Sequence, residues 1–139
     1  VLNTYLANFI ACGPASYWSD AVRPLVYEIG RKPGRMVFAV DWGITQQIMW
    51  YGNGRIGLHR YSDGLVLGLP EPMNVPPLEL ALADPATLFV THTEGRESFV
   101  GVRRKMLDFA AARGYRDSVV QTIHDRHGAP IFELHEFRK

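Results

Sequence analysis

Met36-Val37-Phe38-Ala39-Val40 is the stretch that decides the fold class. Five consecutive apolar residues, two of them β-branched, leave no polar side for water. Such a run reads as a strand covered on both faces, the kind found inside a parallel sheet. Asp41-Trp42-Gly43 closes it, and a helix from Ile44 to Tyr51 follows, stopped by Gly52-Asn53-Gly54.

Before that strand, Trp18, Val22, Leu25 and Ile29 recur at i, i+4, i+7 and i+11, which is one face of a helix. Ser19 or Asp20 is its expected N-cap, and Pro24 fits its first turn. Gly30 and Arg31-Lys32-Pro33-Gly34 end it. Val1 to Cys12 reads as a short helix or as the trailing edge of a preceding segment, broken by Gly13-Pro14.

After the second helix, Arg55 to Tyr61 reads as a strand and residues 62 to 77, rich in Gly and Pro, as a loop. Leu78 to Leu82 suggests a short helix that stops at Asp84-Pro85. Thr87 to Thr91 is a third strand of buried character. Phe99, Val102, Met106 and Phe109 or Ala110 mark a long helix ended by Gly114, with Arg103, Arg104 and Lys105 on its solvated side. Val119 to His124 and Ile131 to Phe137 read as strands joined through a turn at His127-Gly128. The expected fold is therefore α/β: a three-layer α/β/α sandwich of flavodoxin or Rossmann type, with a mainly parallel sheet. A C-terminal antiparallel hairpin ends it, the last strand lying at an edge. No internal repeat or linker divides the chain.

The 139 residues suit one domain with a real core, and the apolar share of 47% and charged share of 21% are ordinary for a folded protein. Fifteen Lys and Arg against 14 Asp and Glu give a net charge of +1, which argues against a dedicated nucleic-acid binder. The single cysteine, Cys12, excludes an intrachain disulfide and reads as a small apolar filler. No run reaches the length of a membrane span. Val1, with no initiator Met or signal peptide, reads as the start of an excised or processed chain.

In open α/β sheets ligands bind beyond the carboxyl ends of the strands. Three such ends carry chemistry here: Asp41 and Trp42; His59, Tyr61 and Asp63; and His92, Thr93 and Glu94. Asp41 with His92 is a conceivable acid–base pair. The blander reading makes Asp41 the cap of the following helix and packs Trp42 over the sheet edge. Gly52-Asn53-Gly54 follows a helix and precedes a strand, the wrong order for a phosphate loop. His124, His127 and His135 do not have the convergence that zinc needs. No metal or cofactor is expected. Tyr5, Phe9, Trp18, Trp42, Trp50 and Tyr51 read as core or interface aromatics.

Val37 to Ile44 (VFAVDWGI), Ala83 to Thr93 (ADPATLFVTHT) and His124 to Glu133 (HDRHGAPIFE) resemble, in this order, segments of the soluble tail of bacterial family 39-type glycosyltransferases. These include dolichyl-phosphate-mannose protein mannosyltransferases and aminoarabinose transferase relatives. The likeness spans about residues 18 to 137. It implies a polytopic membrane enzyme that moves a sugar from a polyprenyl-phosphate donor, with its catalytic carboxylate in the membrane part. This chain would then be one soluble extracytoplasmic domain over residues 1–139, with residues 1–15 as a linker. It would cap the membrane active site or position acceptor, without a catalytic residue of its own. Its implied partners are the membrane-embedded part of the same polypeptide and a glycan or lipid-linked sugar, at the outer face of the bacterial cell membrane. Asp41, Trp42, His59, His92, Thr93 and Glu94 are the candidate ligand or acceptor contacts. The alternative is a free-standing α/β small-molecule-binding module or small enzyme that uses the strand-end cleft around Asp41 and His92.

Overall fold

A computed structural model of the chain describes residues 4, 19–60 and 62–139. The short helix or trailing segment read over Val1 to Cys12, and the placements of Tyr5, Phe9, Cys12, Trp18 and Tyr61, lie outside the described residues. The described elements run α1 (Val22–Gly30), β1 (Met36–Ala39), α2 (Ile44–Gly52), β2 (Gly57–Leu58), α3 (Ser62–Leu65), α4 (Val75–Ala83), β3 (Thr87–His92), α5 (Val102–Ala111), β4 (Arg116–His124) and β5 (Pro130–Arg138).

The fold is α/β, with one five-stranded sheet in the order β2-β1-β3-β5-β4. β1 pairs in parallel with β2 and with β3, while β5 runs antiparallel to both β3 and β4. Four strands therefore point one way and β5 points the other. The order 2-1-3 at one side is that of a doubly wound sheet. The other side departs from the flavodoxin order, because β5 sits inside and β4 forms the edge. The expectation of a last strand at the edge is corrected accordingly. The apolar alternation of β5 explains the place it takes: Ile131, Phe132, Leu134, His135 and Phe137 are all buried, whereas Arg116 to Val119 of β4 are exposed.

Two local readings also change. β2 spans only Gly57–Leu58, short of the strand expected over 55–61, and its residues are half-buried. Residues 62–77 hold α3 and the first turn of α4, whose Pro76 and Pro77 suit a helix start. Before α1, Ala21 occupies the cap position, while the Ser19 hydroxyl accepts a hydrogen bond from the Ala21 N–H at 3.2 Å.

The decisive stretch behaves as a two-faced strand. Val37 and Ala39 pack into a cluster with Leu25 and Ile29 of α1, Ile44 and Ile48 of α2, and Leu88, Val90 and Leu134 of the sheet. Phe38 and Val40 join a second cluster with Leu78 and Leu82 of α4, Val102, Met106 and Ala110 of α5, and Phe89 and Phe137. In this second cluster Phe89 lies 5.1 Å from Phe38 and meets Phe137 edge-on at 4.9 Å. Such contacts add to the area each ring removes from water.

Phe89→Ala should cost about 3–5 kcal/mol in urea unfolding, the range for deleting a buried aromatic ring. Val119→Ala, on the exposed part of β4, should cost less than about 1 kcal/mol. Equal losses at the two positions would contradict the described burial.

Candidate functional site

β1 and β3 lie side by side, and their carboxyl ends bring together two residues separated by 51 positions. His92 Nδ1 lies 2.6 Å from Asp41 Oδ2, and both side chains are buried. β1 crosses to β2 on one side of itself and the chain later returns to β3 on the other, so this pair marks the point where the strand order reverses. The face they share follows from alternation: Val37, Ala39 and Asp41 point one way from β1, as do Leu88, Val90 and His92 from β3.

Asp41 does not cap α2. Its carboxylate instead ties down the segment that follows β3. Oδ2 also accepts the Ser98 N–H at 2.6 Å, while Oδ1 accepts the N–H of Trp42 at 2.8 Å and of Phe99 at 3.2 Å. The Ser98 hydroxyl donates to the Trp42 carbonyl at 3.3 Å and closes the link. Burial pushes the Asp41 carboxyl up, but the bonds from His92, Ser98 and Trp42 together outweigh it and hold the group below its ordinary range.

The start of α2 has no side-chain cap hydrogen bond. Gly43 takes a left-handed conformation, φ 83°, at the start of that helix, where a side chain would be strained. Asp63 of α3 reaches across to this helix start. It accepts a hydrogen bond from the Thr45 hydroxyl. Its second oxygen, Oδ2, is buried without a hydrogen bond. Burial is the largest influence on Asp63 and, with the negative charge of Asp41, raises its pKa despite that hydrogen bond.

The remaining candidates separate. Trp42 is 53% exposed and stands at the rim rather than packed down over the sheet edge. Thr93 is buried, its hydroxyl donating to the Pro130 carbonyl at 2.9 Å, a structural bond to β5. Glu94 is exposed. His59 points away from the pair: its Nε2 lies 3.0 Å from Thr87 Oγ1, at the opposite end of β3, and its ring sits 5.7 Å from Phe38. His59 thus takes no part in the strand-end site, whereas Glu94 stands exposed just beyond His92.

The chemistry of the pair follows from which nitrogen is occupied. Nδ1 is held by Asp41, and no hydrogen bond engages Nε2 among the described residues. With Nδ1–H donating to the carboxylate, a neutral ring carries its lone pair on Nε2, which suits it to accept a proton or a hydroxyl hydrogen bond. Phe132 braces the ring at 5.0 Å. Exposed Trp42 and Phe99 extend from the two backbone groups that donate to Asp41 Oδ1, so one buried oxygen anchors both aromatic rims.

A second polar network lies on the other face. His135 is fully buried, with Nδ1 2.8 Å from Asp117 and Nε2 3.0 Å from Thr91 Oγ1 and 3.3 Å from Glu133. Glu133 in turn pairs with Arg103 of α5 at 2.7 Å. Arg103 therefore belongs to a helix–sheet bolt rather than to a purely solvated face. Thr91 and His135 are too deeply buried for substrate to reach them. Among the described residues no group of three or more His, Cys, Asp or Glu could hold a metal ion.

No family model matches the chain, and no curated protein or solved structure matches it either.

Two variants test the electrostatics. Asp41→Ala leaves buried donors without an acceptor and should cost about 3–5 kcal/mol. Because the folded pKa of Asp41 is lowered, its contribution is present above the ordinary 3.8 and lost as pH falls through the folded value, so acid should narrow the gap between wild type and variant. Asp63 has the opposite sign: its raised pKa stabilises below 3.8, and that contribution is lost as pH rises through the folded value. Asp63→Asn should therefore be more stable than wild type at neutral pH and lose that advantage in acid. Chemical unfolding of both variants between pH 3 and pH 7, on the order of these pKa values, reads both signs.

Proposed function

We propose that this chain is a non-catalytic extracytoplasmic domain of a polytopic membrane glycosyltransferase of the family 39 type. In this reading it is a three-layer α/β/α domain, and the His92–Trp42 end of its sheet receives part of an acceptor or lipid-linked sugar. The observation that carries the non-catalytic assignment is the saturation of Asp41. A buried carboxylate that accepts from His92, Trp42, Ser98 and Phe99, and whose pKa is held low, is a holder of structure. It is poorly placed to act as nucleophile or acid.

The same arrangement supports recognition. Trp42 offers an exposed indole face for the C–H surface of a sugar ring, and His92 Nε2 offers an acceptor to a hydroxyl. Both are positioned by Asp41, so the site is organised before a ligand arrives, which lowers the ordering cost of binding. Catalysis would remain with the membrane part of the parent enzyme.

A second reading rests on one specific feature. The carboxylate–imidazole dyad at the strand switch point, with Nε2 unengaged, has the arrangement of a general base. A free-standing small enzyme or small-molecule-binding module would use it to take a proton from water or a hydroxyl.

One titration separates the two. The 139-residue chain is mixed with a polyprenyl-phosphate sugar and with simple oligosaccharides, while the Trp42 indole and His92 ring signals are followed by NMR. Shifts at both residues, lost in His92→Ala and unaccompanied by product, are expected. Product formation that His92→Ala abolishes would replace the non-catalytic reading with the enzymatic one. Silence at both signals with every sugar would leave the strand end purely structural.

A further inference from the structure

β4 begins and β5 ends at the amino end of the sheet, the end away from His92. Their register sets Arg116 directly across from Arg138, and Ser118 directly across from Glu136. Residues paired in this way share a face, with Cβ atoms about 4.5–5.5 Å apart, and like charges so placed repel. The shared face is that of α1 and α2, because Leu134, two residues before Glu136, packs into the cluster with Leu25 and Ile48. Arg35, just before β1, joins the group from the same face, its Nη2 2.9 Å from Glu136 Oε1.

Glu136 is the one carboxylate that these three arginines touch, and it is already shared. Arg138 Nη2 lies 2.7 Å from its Oε2, opposite the contact with Arg35. The bond from Arg138, with Arg35 beside it, holds the Glu136 carboxyl below its ordinary range despite burial. Arg35 is also tied to the carbonyls of Ala86 at 2.9 Å and Thr87 at 3.2 Å, so it buttresses the corner. Arg116 is exposed and has no ion pair among the described residues. Arg138 is 79% exposed, and its Nε and Nη1 have no hydrogen bond among the described residues. Asp117 does not relieve the corner, because it turns to the other face and meets His135. Three arginines against one carboxylate leave two positive charges in surplus. A phosphate group carries about −1.5 to −2 at pH 7, which matches that surplus. Guanidinium forks also match its oxygens in pairs, and the exposed Ser118 hydroxyl adds a donor on the same face.

We propose that Arg116, Arg138 and Ser118 form a binding site for the phosphate group of a small phosphomonoester, with Arg35 and Glu136 fixing the place of Arg138. A bridging anion turns the repulsion of the two facing arginines into a shared attraction. The proposal stands independently of any glycosyltransferase role, because the site lies at the other end of the sheet from Asp41 and His92.

The test is a titration of the 139-residue chain with inorganic phosphate and with phenyl phosphate at low salt, with chloride at matched ionic strength as control. Backbone amide signals of residues 116–118 and 136–138 are followed by NMR. Saturable shifts with both phosphates, absent with chloride, are expected. Arg116→Gln and Arg138→Gln should each weaken binding about tenfold, the loss of one charge-assisted contact. Arg55→Gln, an exposed change before β2 at the opposite edge of the sheet, should leave binding unchanged. Melting gives a second readout that a purely structural arginine would not move. Without phosphate Arg116→Gln should melt above wild type, because the facing charges no longer repel, and added phosphate should erase that lead. The proposal is overturned if wild type shows no saturable shift, if chloride reproduces the shift, or if binding ignores the Arg116 and Arg138 changes. Rejection of phenyl phosphate would overturn the ester assignment, and an Arg116→Gln chain that melts below wild type with and without phosphate would make Arg116 structural.

Discussion

A single buried carboxylate organises one whole end of this molecule. Asp41 sits where β1 ends, and its two oxygens take donors from three places: the next residue, the end of β3, and the segment that leads to α5. An ionised group out of water is costly unless its partners replace the lost solvation. Here His92 and the backbone of Trp42, Ser98 and Phe99 supply that replacement. The path of the chain after β3 is therefore dictated by the need of one charge for donors, and the positions of Trp42 and Phe99 follow from it.

Asp63 is its counterpart and shows the other outcome. It also sits beside the start of α2, and it accepts a hydrogen bond there, yet burial and the neighbouring charge of Asp41 win. Two carboxylates at one sheet end are thus driven apart in acidity by the number of donors each can gather. The same logic runs on the opposite face, where His135 is enclosed by Asp117, Thr91 and Glu133, and Arg103 neutralises Glu133. Both faces of the sheet are pinned by a histidine–carboxylate contact, one at the rim and one in the interior.

Much of this was legible in the chain because local pattern carries it. The continuous apolar runs around Phe38 and Phe89 announce strands covered on both sides, and the spacing of Val102, Met106 and Ala110 announces α5. The pairing of Asp41 with His92 could be conceived, since both close a strand. Its consequence could not, because the donors of Ser98 and Phe99 are backbone groups that any residue carries. β2 was overestimated because Arg55 to Tyr61 has strand-forming residues but only Gly57 and Leu58 meet β1. The place of β5 escaped for a different reason: adjacency in sequence predicts that β4 and β5 pair, and says nothing about which of them meets β3. His59 shows the same limit, since a strand too short to carry it forward leaves it beside Thr87.

The insertion of β5 between β3 and β4 has a meaning for how the chain is made. Synthesis proceeds from the amino end, so β1, β2 and β3 emerge first and can assemble as a parallel trio. β4 emerges next with no strand to rest on, because among the described residues its only neighbour in the sheet is β5. Until residues 130–138 leave the ribosome, β3 keeps a bare apolar edge and β4 waits unpaired, a state open to wrong partners. The final strand is therefore a keystone in time as well as in space: its arrival satisfies two edges at once and makes completion of the sheet nearly all-or-none.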